Sequence, residues 1–306
     1  MSTQRSVAVV VGEALVDVVT RADGSSADYA GGSPFNVAYG LGRLEHEVHL
    51  LTRMGDDPYG SLLRGHLAQA DVHLVPGAVD EGRTAIAHAR LDAEGRASYE
   101  FELEWSVPAV ELPDEVDVVH TGSIATAVQP GAGEVLDLLT ARRASATTSF
   151  DPNIRPAFFA DPAAANVAVE AFVDVADVVK VSDEDLEWLR PGVPDHEVAR
   201  EWLARGPALV MVTRGPEGAF ALSRAGEVEV PAPPTDVVDT VGAGDAGMSG
   251  LLHALAVRDL LGAGRREALR AIDVATLRDV VTTSVRSASI TCERAGANPP
   301  TRAELG

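Results

Sequence analysis

The run Val238-Asp239-Thr240-Val241-Gly242-Ala243-Gly244-Asp245-Ala246 joins a small-residue turn to the start of an apolar helix, predicted over about 243–257, with one carboxylate at the junction. Gly242 and Gly244 allow a sharp turn whose N–H groups can come close to a ligand, and the helix points its positive end at the same place. Such a turn suits a phosphate. Asp245 would be repulsive there if anion binding were the whole task. It fits instead as a base that takes a proton while the turn holds developing charge. The chemistry indicated is phosphoryl transfer.

Other residues could serve the same chemistry. Glu13 and Asp17 share one face if 12–19 is extended, although a solvated polar face explains the pair equally well. Gly31-Gly32-Ser33-Pro34-Phe35-Asn36 opens a second glycine-turned helix. An ordinary cap, with Ser33 as N-cap and Pro34 at the first helical position, accounts for two of these residues but not for the Gly31-Gly32 pair or Asn36. Asp151-Pro152-Asn153-Ile154-Arg155-Pro156 follows a predicted strand, and Arg155 there could hold an anion or form a surface ion pair. Lys180, the only lysine in the chain, also stands at a strand end and is placed on the nucleotide side. After it, Ser182-Asp183-Glu184-Asp185 could bind Mg²⁺ through water, but acids in a first helical turn are also ordinary dipole partners.

These groups need a scaffold that brings distant strand ends together. Val7–Val11 and 48–52 are predicted strands, and 59–70 a helix. From Val116 the chain alternates strands (116–120, 146–150, 177–181, 208–213) with helices (131–143, 162–175, 183–189, 195–204, 243–257), ending in a long helix near 265–288. Repeated βα units imply an α/β fold: a mainly parallel sheet flanked by helices, with ligands beyond the carboxyl ends of its strands. Segments 84–91 and 97–103 read as a hairpin around Asp92–Arg96. With the early strand near Asp17 they make a small β lid, formed by about 12–34 and 84–106, on a single domain spanning 1–306. A lid over a small ligand excludes water from the transfer.

The chain has 306 residues, 46% of them hydrophobic, enough for one large core. With 25 basic against 46 acidic residues its net charge is -21, which disfavours nucleic acid and anionic membranes as partners. A helix N-terminus and a few cations in a cleft still accommodate ATP. Cys292 is the only cysteine, so no intrachain disulfide forms. The first apolar run is too short for a signal segment or membrane span, and a cytoplasmic protein is expected.

Several motifs are absent: the Gly-x-x-x-x-Gly-Lys phosphate loop, the protein-kinase set and the Gly-x-Ser-x-Gly elbow. His46 and His49 flank Glu47 without the spacing of a zinc site and are assigned to packing or surface. Gly242-x-Gly244-x-x-Gly247 does match the dinucleotide fingerprint, which makes an NAD-dependent dehydrogenase the rival reading. Its context differs: no apolar strand precedes it, and Asp245 within it would face a pyrophosphate.

Asp239-Thr240-Val241-Gly242-Ala243-Gly244-Asp245 closely resembles the C-terminal signature of the ribokinase-like (PfkB) carbohydrate kinases, and Gly31-Gly32-Ser33-Pro34-Phe35-Asn36-Val37-Ala38 their N-terminal one. Gly12–Asp17, Gly55–Gly60, Asp151–Arg155 and Thr213–Gly218 are similar to further family segments, in the family's order, so the resemblance covers nearly the whole chain. It implies an ATP- and Mg²⁺-dependent sugar kinase acting on a small-molecule sugar. Asp245 then matches the catalytic base, and Gly242, Ala243 and Gly244 the anion hole. Asp17, Gly32 and Asn36 match sugar contacts, joined by Glu13, Gly31 and Arg155. Thr213, Gly215 and Gly218 match the nucleotide-binding loop. The carbonyls of Asp239 and Val241 stand where some members hold a monovalent cation such as K⁺. A homodimer through the lid is a further expectation.

Three positions depart from the family pattern. The Asn-x-x-Glu motif linked to Mg²⁺ reads Ser182-Asp183-Glu184-Asp185, which leaves the shorter Asp185 as its carboxylate. Gly247 replaces a frequent Phe, which is expected to loosen the helix turn, and Val241 replaces Thr. The early and Asp151 segments look most like fructokinases and 2-keto-3-deoxygluconate kinases. The acids of Tyr99–Trp105 favour a neutral hexose such as fructose, while Arg155 keeps the keto acid open. A ribose or nucleoside kinase, and an inactive sugar-binding regulator, are the remaining alternatives.

Overall fold

Runs rich in valine, with few turn residues inside them, form a nine-stranded sheet whose two faces are both covered, so most of its strands read as continuous apolar stretches. The computed structural model describes residues 5–20, 24–91, 97–108 and 110–306, with the backbone alone at 90, 91 and 97–99. In spatial order the strands are Gly226–Val230, Ala219–Ser223, Leu209–Thr213, Val178–Ser182, Thr147–Asp151, Val118–Gly122, Val7–Val11, Glu47–Leu51 and Val72–Leu74. The last seven run parallel. The first two form an antiparallel hairpin on the edge that the sequence pattern does not announce.

Val9, Val11, Val119, Phe150, Val181 and Val210 face the helices Gly131–Arg142, Pro162–Val175, Asp183–Leu189 and Asp195–Arg205. Ala8, Val10, Val118, Val178, Leu209 and Met211 face the helices Ser33–Arg43, Pro58–Leu67, Ala243–Ala256 and Val274–Cys292. The chain starts at Val7–Val11, steps outward to Glu47–Leu51, and returns to Val118–Gly122 on the other side of the first strand. The carboxyl ends on either side of that reversal form the crevice where such sheets bind ligands.

The helix Ala243–Ala256 lies between two others with almost no clearance. A Cβ on Gly250 would stand 2.7 Å from Ser287 Cβ, and one on Gly40 2.5 Å from Ser249 Oγ. Ser284 Oγ donates to the Gly247 carbonyl at 2.6 Å and Ser287 Oγ to that of Ala246 at 2.7 Å. At Gly247 itself a Cβ would meet only ordinary contact, 3.5 Å from Ser284 Oγ, so the close packing of this helix rests on Gly250 and Gly40. The long helix expected near 265–288 is two, Arg266–Arg270 and Val274–Cys292, because the Asp273 carboxylate accepts from Thr276 N–H and starts the second afresh.

A separate four-stranded sheet orders Ser26–Gly31, Leu15–Thr20, Ala85–Leu91 and Ala97–Glu102. The hairpin of 84–103 is present as antiparallel strands, while its Asp92–Arg96 turn, residues 21–23 and the Tyr99 side chain lie outside the described parts. Leu15 and Ala87 pack with Ile124, and Phe101 meets Phe158 with ring centroids 4.9 Å apart, so this sheet lies over the strand ends of the large one. Among the described residues no helix is long and apolar enough to cross a membrane.

Candidate active site

Asp245 stands in the first turn of the helix Ala243–Ala256, only 6% exposed. Gly242 caps that helix in a left-handed conformation, φ 74°, with Ala297 Cβ 2.5 Å from where a side chain would begin, so glycine alone fits. Three donors converge on the Asp245 carboxylate. Ser33 Oγ–H donates to Oδ1 at 2.6 Å, Asn36 Nδ2 to Oδ2 at 2.8 Å, and Asn153 Nδ2 to Oδ1 at 3.5 Å. Burial pushes the Asp245 pKa up, and the Ser33 and Asn36 bonds pull against it. Ser33 is thus not the helix cap expected of it. Gly32, φ 107°, is the N-cap, and the Ser33 hydroxyl reaches across to Asp245.

Glu13 also lies differently from expectation. The chain breaks between Val11 and Leu15, so Glu13 is not on the strand with Asp17, and it is 4% exposed. Its carboxylate accepts from Ser33 N–H at 3.3 Å and Ala125 N–H at 3.0 Å, tying the Asn36 helix to the end of the strand Val118–Gly122. Burial raises its pKa to about 7. Asp17, raised by burial to about 6, lies on the small sheet against Gly31, where any side chain would collide with its carboxylate. Arg155 is half-buried. Its Nη1 donates to Asn153 Oδ1 at 2.7 Å and to the carbonyls of Asn153 and Ile154, and its charge acts on both Glu13 and Asp17. Asn153, at φ 37°, links Arg155 to Asp245.

On the other side of Asp245, Lys180 Nζ lies 2.8 Å from Asp151 Oδ2, both side chains 3% exposed. Asp185 Oδ1 accepts from Ile154 N–H at 3.0 Å, and its pKa is raised by burial and by the charge of Asp151. Asp239 uses both carboxylate oxygens on backbone, Oδ1 on Val241 N–H and Oδ2 on Gly296 N–H. Thr213 is half-buried at the end of the strand Leu209–Thr213 and Gly215 is exposed, whereas Gly218 is buried against Val230–Ala232 backbone, a place for a turn. The carboxyl ends of five adjacent strands thus meet two helix N-termini around one buried carboxylate.

Residues 6–304 match the model of the pfkB family carbohydrate kinases. The chain belongs to that family. It is 36% identical over 262 residues to a fructokinase of Rhizobium leguminosarum bv. trifolii, covering 82% of this chain and 80% of the relative, and 32% identical to a fructokinase of Escherichia coli, covering 87% and 89%. Its fold matches the fructokinase of Xylella fastidiosa with bound ATP (TM-score 0.82, 24% identity, 99% and 97% covered). It also matches a fructokinase double mutant of Vibrio cholerae O395 with fructose, ADP and potassium ion (TM-score 0.78, 25% identity, 100% and 98% covered).

As a pfkB-family carbohydrate kinase, a phosphotransferase with an alcohol acceptor, the protein gathers most of the residues marked in its sequence: Asp245, Gly242, Ala243, Gly244, Asn36, Gly31, Gly32, Asp17, Arg155 and Lys180. Ser33, Asn153 and Asp151 were not singled out. Asp151 and Asn153 had one signal, polar residues directly after an apolar strand. Ser33 had none, because a serine before Pro34 looks like a cap.

Proposed function

We propose that this kinase is an ATP-dependent fructokinase with Asp245 as its base. The observation that carries the reading is the Asp245 carboxylate, buried in the first helical turn behind Gly242–Gly244, with sugar-side donors on one flank and the Asp151–Lys180 pair on the other. Asp245 Oδ1 accepts from Ser33 and Asn153, while Oδ2 keeps a lone pair beyond the bond from Asn36. A sugar's primary hydroxyl donates there, its oxygen attacks the γ-phosphorus of ATP, the proton passes to Asp245, and ADP leaves in line. The N–H groups of Gly242, Ala243 and Gly244 stabilise the charge on the transferring group. Asp17, and the Asn36 carbonyl oxygen left free by its amide, orient the ring hydroxyls beside Gly31 and Gly32. ATP lies along Thr213 and Gly215, and the small sheet closes over the sugar.

Fructose is favoured over an acid sugar on charge. Arg155 already donates through Nη1 to Asn153 Oδ1 and lends its charge to Glu13 and Asp17, so a substrate carboxylate would share that cation with two acids. The relatives' names agree with a fructokinase. For Mg²⁺ the fit lies in Asp185, a buried carboxylate close enough to Asp151 to feel its charge; Asp185 would hold the ion, which would neutralise phosphate oxygens. For K⁺ it lies in the Asp239 and Val241 carbonyls, which accept no hydrogen bond among the described residues and would hold a positive charge beneath the anion turn. Two copies pairing through the small sheet would use its edge strand Ser26–Gly31, where Tyr29 is 47% exposed; a monomer in sedimentation at micromolar concentration excludes this.

The base assignment is tested by Asp245→Ala. Turnover with fructose is expected to fall at least ~100-fold while calorimetry still records fructose binding. Near-normal turnover would remove Asp245 from the mechanism.

A further inference from the structure

Lys180 lies in the strand Val178–Ser182, level with Met211 of its neighbour, on the sheet face beneath the helix that carries Asp245. All other cationic side chains that are permanently charged are arginines. The Lys180–Asp151 pair is almost fully buried, and a buried pair is a poor stabilising device. Removing both charges from water offsets most of their attraction, and apolar residues of similar volume generally serve as well. Its placement supplies a task. A Cβ built on Gly244 would stand 3.8 Å from Lys180 Nζ, so the ammonium lies close to the Gly244 end of the Gly242–Gly244 turn, and its charge reaches the Asp245 and Asp185 carboxylates.

We propose that Lys180 is a catalytic residue that donates to the γ-phosphoryl group as it transfers, and that Asp151 is the positioning residue holding the ammonium under the Gly242–Gly244 turn; this rests on the kinase reading. An ammonium has three N–H donors, so the bond to Asp151 leaves two for phosphate oxygens. A compact point charge on a flexible stem fits this enclosed space, where a planar guanidinium would not. His120, on the same sheet face, bonds Ser149 through Nδ1 at 3.0 Å and is held neutral by burial and the lysine charge, so it adds no competing cation. In transfer the sugar oxygen bonds to phosphorus, the bond from phosphorus to ADP breaks, and the acceptor's proton goes to Asp245. Lys180 keeps its own proton throughout and offsets charge where water is excluded.

Two variants avoid leaving a buried Asp151 carboxylate without a hydrogen-bond donor. Lys180→Gln retains a donor to Asp151, and the double variant Lys180→Met with Asp151→Asn makes both groups neutral. Calorimetry with Mg-ADP and with the magnesium complex of the non-hydrolysable β,γ-imido analogue of ATP compares nucleotides without and with a γ-phosphate. In both variants the analogue is expected to bind at least ~10-fold more weakly while ADP affinity is unchanged, and turnover with fructose to fall at least ~100-fold. Equal effects on the two nucleotides, or turnover within ~3-fold of wild type, would overturn the assignment. Wild-type ADP release with fructose tests the kinase reading on its own, and the binding ratio needs no turnover, so the two failures are distinct.

Discussion

Burial favours the neutral form of Asp245, and the hydroxyl of Ser33 and the amide of Asn36 favour its charge. Removing one donor tips that balance in a known direction. In Ser33→Ala the carboxylate loses a bond made to its charged form, so its pKa rises. The acid limb of the kcat–pH profile should move up by about 1 unit, with turnover at neutral pH lowered by up to ~10-fold. An unmoved limb would show that Ser33 does not act on the base. Gly242, Gly244 and Asp245 were legible in the sequence because they lie in one short stretch with a single geometric meaning. The donors to Asp245 were not, since Ser33 is 212 residues away and the fold alone brings it to 2.6 Å. Asn36 is expected from the sequence as a sugar contact; its bond to Asp245 is visible only in the fold.

Among the elements, the helix Ala243–Ala256 is held most tightly, and its glycines are where that can be measured. Gly250→Ala puts a methyl 2.7 Å from Ser287 Cβ, so the two helices must separate, at a cost of about 1–3 kcal/mol in urea unfolding. An unchanged midpoint would contradict the packing described. Helices and inner strands were readable because burial imposes period and composition: Pro162–Val175 and Asp183–Leu189 lie where the pattern places them. The edge hairpin Ala219–Val230 was not, since its Arg224-Ala225 turn lacks the Asn-Gly or Asp-Gly pair of tight hairpins and only Gly226 after it, at φ 137°, marks the place. The division at Asp273 was hidden because Leu269, Ile272 and Leu277 continue one apolar face across the break.

For the molecule as a whole, pH acts on stability through groups the fold buries. His46 Nδ1 meets Ser6 Oγ at 2.8 Å and His46 Nε2 meets His253 Nδ1 at 2.8 Å, joining the far end of the helix Ala243–Ala256 to the start of the first strand. Burial lowers the two imidazoles to about 3 and about 4. A histidine lowered on folding takes up its proton in the unfolded chain first, so its contribution is complete above pH 6.5 and is lost as pH falls toward 4. Glu13 and Asp17, raised on folding, act oppositely, losing their contribution as pH rises toward 7 and 6. His46→Gln should therefore flatten the fall in stability between pH 6 and 4.5 by up to about 1.4 kcal/mol per pH unit, read from urea midpoints; an unchanged slope would contradict the buried neutral pair. The α/β class was legible from the alternation of elements, and so was the approximate place of the small sheet. The ion pair at Lys180 was not, because nothing local links it to Asp151. The most direct measurement of the central claim is ADP release from Mg-ATP over fructose, ribose, 2-keto-3-deoxygluconate, a nucleoside and a sugar phosphate. Fructose is predicted to exceed every other acceptor at least ~10-fold in kcat/KM; preference for the keto acid, or no ADP release with any of them, would contradict it.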